Sequence, residues 1–187
     1  MRARLPALLL GCVLALAGCT SLEGTGDKGY ISGNGQVMQL PPADRGEPVE
    51  MTGEDLDGQR VSLEELRGQV VVVNVWWSGC PPCRTEMPML VETAESERDA
   101  AFMGINIRDS DQAQAKAFVR NFQVPYPSVF DPSGKALLAF DGILSPTRIP
   151  STVVLDTEGR IASTVIGPLP SARTLQSLID EAGTADG

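Results

Sequence analysis

Cys80 and Cys83, in the stretch WWSGCPPCRTEMP from Trp76 to Pro88, are the residues of this chain best suited to chemistry. Two thiols at this spacing can bridge each other, exchange with another disulfide, or contribute half of a metal site. A zinc site would need two more ligands, and the sequence holds four cysteines in all and no histidine. The other two, Cys12 and Cys19, fall in an N-terminal segment with the character of an export signal. Reversible redox cycling of Cys80 and Cys83 is the reading left, with no metal and no cofactor expected. Pro81 and Pro82 lie between the thiols and have no backbone N–H, so two donors that a thiolate could use are missing. Glu86 follows Cys83 by three residues and shares its face if the segment is helical.

The flanking sequence supplies the elements that would hold this pair. The β-branched run from Val70 to Trp77 has the pattern of a strand buried on both faces of a sheet. A helix from Cys80 to about Arg98 would place Cys80 at the N-cap, where the positive end of the macrodipole favours a thiolate, and Cys83 one turn inside. Pro88 would kink that helix by removing the amide that bonds the Arg84 carbonyl. AFMGINI, 101–107, reads as the next core strand, giving a βαβ crossover. Asp111 caps a further helix to Phe122, and PSVFDPSG and KALLAF supply a short strand, a turn and a helical turn. STVVLD and RIASTVI form an antiparallel hairpin, and an amphipathic helix over 171–182 closes the domain. Upstream, Asp57-Gly58 marks a turn between two short strands. Ser62 and Glu65 have the spacing of a capping box. The predicted architecture is α/β: a central mixed sheet with helices on both faces, an N-terminal β-hairpin and a central βα insertion.

The N-terminus divides from this domain by composition. Met1 to Gly18 combines a basic start, an apolar stretch too short for the roughly 20 residues of a spanning helix, and small residues before Cys19. LAGC, Leu16 to Cys19, resembles the lipobox of bacterial lipoproteins, which implies cleavage before Cys19 and acylation of its sulfur. Residues 1–18 are thus expected as a signal peptide and 19–47 as a lipidated flexible tether spanning on the order of 30 Å. Residues 48–187 are then the folded domain. Within the tether only short pieces such as QVMQL, Gln36 to Leu40, have the character of a strand. The net charge of −9 argues against nucleic-acid or anionic-lipid binding, so the acyl group would be what holds the chain to a membrane, on its extracytoplasmic face.

The segment around the cysteines resembles the active-site segment of the TlpA/ResA-like branch of the thioredoxin superfamily. That pattern is an apolar strand, Asn, aromatic, Trp, then Cys-x-Pro-Cys, a basic residue, x, Glu, x, Pro. The likeness extends through VSLEELRGQ, FVRNFQVPYP and RIPSTVVLDTEGRI, and covers about Glu47 to Ala182. It implies a thioredoxin fold in which Cys80 attacks a substrate disulfide and Cys83 resolves the mixed disulfide. It implies that Pro150 is a cis-proline beside the nucleophilic sulfur, with the Ile149 backbone pairing an extended substrate and Trp76 close by. Asn74 stands where thioredoxin has a buried aspartate, and Glu86 matches this branch's glutamate, so the resemblance gives Glu86 the proton transfers of Cys83. The residues alone leave Glu86 either a solvated acid or a buried proton acceptor. One departure is Gly79, where the branch usually has an aromatic lid; Trp76 and Trp77 stand nearby, as lid or as core.

Few donors at Cys80 and a stiff Pro-Pro bridge both favour the disulfide, which predicts a low-potential, reducing protein. The resemblance implies disulfide-bearing exported proteins as substrates, apocytochrome c among them, and a membrane thiol transporter as electron donor. Two rivals stay open. One is a peroxiredoxin-like peroxidase, although Val73, Trp76 and Trp77 stand where that chemistry needs its Pro-x-x-x-Thr-x-x-Cys setting. The other is a copper-delivery protein of thioredoxin fold, although the chain has no histidine to complete the ligand set.

Overall fold

The computed structural model describes residues 36–184. Residues 1–18, expected as a signal peptide, and Cys19 lie outside the described residues. Eight strands and three α-helices run in the order β1 (Val37–Gln39), β2 (Thr52–Glu54), β3 (Arg60–Ser62), β4 (Val70–Trp76), α1 (Pro81–Ser96), β5 (Ala100–Asn106), α2 (Gln112–Phe122), β6 (Ser128–Phe130), β7 (Ser151–Leu155), β8 (Ile161–Ile166) and α3 (Ala172–Thr184). Six strands form one mixed sheet, ordered β1-β8-β7-β4-β5-β6, and β2 and β3 pair separately as the expected hairpin. β4 runs parallel to β5 and antiparallel to β7. Among the described residues no helix is long and apolar enough to cross a membrane.

All seven residues of β4 are buried, as its apolar run, interrupted only by Asn74, requires of a strand covered on both faces. The pleat divides its side chains. Val70, Val72 and Trp76 join a core with residues of all three helices, including Met87, Leu90, Phe118 and Leu175. Val71, Val73 and Val75 face a second core with Leu63, Ile105, Leu137 and Phe140. The α-helices therefore share one face. The opposite face is closed by the hairpin region and by two 3-10 turns, Glu64–Leu66 and Lys135–Phe140, where the sequence pattern suggested helices on both sides.

Two expectations are corrected. Residues 36–47 are not tether: β1 pairs with β8 at Val37↔Val165, and the Leu40 amide continues the pairing onto the Ala162 carbonyl at 2.8 Å. Arg45 then anchors the segment in a buried ion pair with Asp156 at 3.0 Å, its side chain only 4% exposed. A buried carboxylate shared with Arg160 at 2.8 Å holds this stretch to the β7–β8 turn. The capping box does not form either. The Ser62 hydroxyl accepts from the Glu64 amide at 3.2 Å, while Glu65 pairs with Arg60 at 3.4 Å. With a 3-10 turn in place of an α-helix, the three-residue reach of a capping box has no matching geometry.

Candidate redox site

Cys80 ends the loop that leaves β4 and caps α1, in extended conformation, and its sulfur accepts from the Cys83 amide at 3.2 Å. Pro81 and Pro82 fill the first helical positions, where a missing N–H costs the helix nothing. For the sulfur the consequence is that the Cys83 amide is its one hydrogen-bond donor among the described residues. Cys80 and Cys83 are joined as a disulfide with Cα atoms 5.3 Å apart. Cys83 is fully buried and Cys80 only 2% exposed, so the outer sulfur is more sheltered than its position before a helix suggests.

The loop in front of Cys80 is held by a residue that sequence reasoning missed. Asp109, 2% exposed, accepts from the Ser78 amide at 2.9 Å, the Ser78 hydroxyl at 2.7 Å and the Asn106 side chain at 2.7 Å. The preceding residue, Arg108, has φ of 65° and sets its guanidinium 5.0 Å from the centre of the Trp77 ring. One tight turn after β5 thereby clamps both Trp77 and Ser78. The NIRDSD stretch resembles any polar turn, and only its pairing beside β4 gives it this role.

The two tryptophans separate cleanly. Trp76, expected beside substrate, is 1% exposed and stacks on Phe118 with ring centres 4.5 Å apart, so its role is core. Trp77 is half-buried, and a Cβ built on Gly79 would fall within 3.0 Å of three Trp77 ring atoms. Gly79 is thus the residue that leaves room for the Trp77 ring, at the position where the branch it resembles usually carries an aromatic residue.

Ile149 and Pro150 precede β7, beside the end of β4, since Val75 pairs with Ser151. The Ile149–Pro150 bond is cis, as the resemblance implied. The Pro150 carbonyl is taken by the Gly167 amide at 2.9 Å, whereas Ile149 makes no hydrogen bond among the described residues. Its backbone groups are free to pair with an extended chain.

Glu86 is 4% exposed. Its Oε1 accepts from Asn74 Nδ2 at 3.1 Å and its Oε2 from the Leu169 amide at 2.9 Å. Burial raises its pKa from 4.5 to about 7, and those two hydrogen bonds only partly offset the effect. Asn74 also donates to Thr152 at 3.1 Å, and its Oδ1 is buried without a partner, leaving an acceptor near the carboxyl. Glu86 also lines a cavity of about 260 Å³ together with Pro82, Thr85, Met89, Pro168 and Leu169. Tyr126, whose phenol burial and the Glu86 charge push upward, stays neutral in this environment. Cys83 and Glu86 are both buried residues of the first two turns of α1, and their i,i+3 spacing puts them on the same face of the helix.

A two-cysteine disulfide capping the helix after the central strand, beside a cis-proline and backed by a buried carboxyl, defines a dithiol protein of thioredoxin fold. The chain belongs to the Redoxin family, whose model matches residues 41–179, and within it to the TlpA/ResA-like proteins. It is similar to the thiol-disulfide oxidoreductase ResA of Bacillus subtilis (strain 168), 29% identical over 118 residues, or 62% of this chain and 63% of ResA. The chain therefore spans a little under two thirds of the curated relative's length. Among solved structures it resembles a DsbF homologue from Corynebacterium diphtheriae, 30% identical with a TM-score of 0.75, covering 82% of this chain and 98% of that one. A secreted thiol-disulfide isomerase from Corynebacterium glutamicum is 25% identical with a TM-score of 0.76, over 86% and 98% of the two chains.

Proposed function

We propose that this chain is a lipid-anchored, extracytoplasmic thiol-disulfide oxidoreductase that reduces disulfides of exported proteins through Cys80 and Cys83. The observation that carries the reading is the helix-capping disulfide with Glu86 buried behind it and a free Ile149 backbone beside it. In the reduced protein the Cys80 thiolate attacks a substrate disulfide, releasing one substrate thiolate and forming a mixed disulfide. Cys83 gives its proton to Glu86 and, as thiolate, displaces the second substrate sulfur while closing the Cys80–Cys83 bond. The substrate gains two electrons and two protons, and the protein loses the same.

That the Cys83 amide is the one donor to Cys80 among the described residues supports the reducing direction, because a poorly stabilised thiolate leaves the disulfide favoured. In an oxidising compartment the dithiol must then be restored by an electron donor, and a membrane thiol transporter fits the anchored location. Apocytochrome c, whose cysteine pair must be reduced before haem attachment, fits as one substrate. Anchoring rests on Cys19 and the LAGC sequence. The test is trapping: Cys83→Ala should accumulate mixed disulfides at Cys80, and Cys80→Ala should not. Equal trapping by the two variants, or none by either, would overturn the assignment.

A further inference from the structure

We infer that Arg84, Arg108 and Arg148 form a cationic rim around Cys80 that selects target disulfides flanked by acidic residues. The inference rests on the exchange function proposed above and names the substrate class for that site.

The three arginines come from different parts of the sequence, and the sheet brings them to one edge. Trp76 pairs with Asn106 and Val75 with Ser151, so the loop carrying Cys80, the turn carrying Arg108 and the loop carrying Arg148 all leave the same end of the central strands. Arg84 stands one residue after Cys83. Its Nη1 donates to the Ser78 carbonyl at 3.3 Å, and its guanidinium lies 5.7 and 5.5 Å from the Phe118 and Phe122 ring centres. Arg108 sets its guanidinium over Trp77, whose carbonyl accepts from the Cys80 amide at 3.2 Å. Arg148 directly precedes Ile149, whose unpaired backbone faces the same substrate.

All three residues are exposed, and none is in an ion pair among the described residues. The acids on this edge are mostly turned to their own backbone or loop. Asp109 is spent on Ser78 and Asn106, Asp111 accepts from the Ala113 amide, and Asp131 accepts from Ser133 and the Ala136 amide, while Asp141 is exposed in the loop that leads to Arg148. On a chain of net charge −9, three exposed guanidinium groups without a carboxylate partner among the described residues thus share the edge that carries the reactive sulfur. Two of the groups are already held over aromatic rings, so they lose little freedom when they meet a carboxylate. An extended substrate lying along Ile149 would carry its flanking side chains toward Arg148 on one side of the scissile disulfide and toward Arg84 and Arg108 on the other.

The step is the exchange already written: the peptide disulfide is reduced to two thiols as the Cys80–Cys83 dithiol closes. The test uses the reduced full chain and two disulfide-cyclised peptides, identical except for Glu or Lys at the positions flanking the cysteines. At low salt the Glu peptide should be reduced about tenfold faster, the scale of modest electrostatic steering. High salt should remove most of that advantage, a comparison that needs no variant. In the Arg84→Gln/Arg108→Gln/Arg148→Gln protein the ratio should fall close to one. Equal rates for the two peptides on the wild-type protein, or a preference for Lys, would refute the rim while leaving the exchange function intact. Failure to reduce either peptide would overturn the exchange function itself, and the rim with it.

Discussion

Glu86 makes stability depend on pH in a direction that can be worked out from its burial. The carboxyl titrates near 7 in the folded chain against 4.5 for the free group. Between these values the unfolded chain has released the proton and the folded chain still holds it, so the folded state binds more protons and stability falls as pH rises. The penalty is absent below pH 4.5 and complete above about 7. At 1.36 kcal/mol per unit it amounts to about 3 kcal/mol. For a urea slope of about 2 kcal/mol/M, the midpoint of the oxidised protein should drop by roughly 1.5 M from this source alone. Glu86→Gln removes the titration but puts an amide N–H where Asn74 or Leu169 needs an acceptor, a cost of roughly 1–3 kcal/mol at every pH. Urea unfolding from pH 4 to 8 with the disulfide intact should therefore give two curves that converge or cross, the variant weaker in acid and comparable or stronger at pH 8. Parallel curves would mean that Glu86 is ionised throughout and is not the buried proton acceptor described here.

The same group should govern kinetics: resolution of a preformed mixed disulfide at Cys80 should accelerate as pH passes about 7. Glu86→Gln should lose that inflection and about a hundredfold in rate, read by stopped-flow. An unchanged pH profile in the variant would remove Glu86 from the proton transfer. Asp156→Ala leaves Arg45 buried without its counter-charge and should cost about 3–5 kcal/mol in urea unfolding, whereas a loss under 1 kcal/mol would return residues 36–47 to a loosely attached segment. Gly79→Ala should drive Trp77 from its place and cost roughly 1–3 kcal/mol. It should also change tryptophan fluorescence and expose the disulfide to faster phosphine reduction; unchanged fluorescence and reduction rate would show that Trp77 does not cover the site.

The chemistry was legible in the sequence where it depended on neighbours in the chain. The Val70–Trp76 strand, Cys80 at a helix N-cap, Cys83 one turn in, Pro150 and the substitution of Asn74 for an acid all follow from local pattern and resemblance. What was not legible depended on pairing across the sheet. β1 has three residues, too few for an alternating pattern, and its partner β8 lies far along the chain. Asp109 acquires its role only because β5 lies parallel to β4. Trp76 and Trp77 are identical neighbours, and the end of the strand decides which is core and which stays half-buried beside Gly79. Arg84, Arg108 and Arg148 are scattered in sequence, and only the strand register brings their loops to the same end of the sheet.

The central claim is that Cys80 and Cys83 form a reducing dithiol, held toward the disulfide by a sulfur whose one donor among the described residues is the Cys83 amide. Equilibrating the full chain across a series of glutathione or dithiothreitol ratios, with the two redox states separated by thiol alkylation, measures this directly. The expected apparent potential is on the order of −270 mV, comparable to thioredoxin. A value near −120 mV, that of a strongly oxidising disulfide donor, would contradict it.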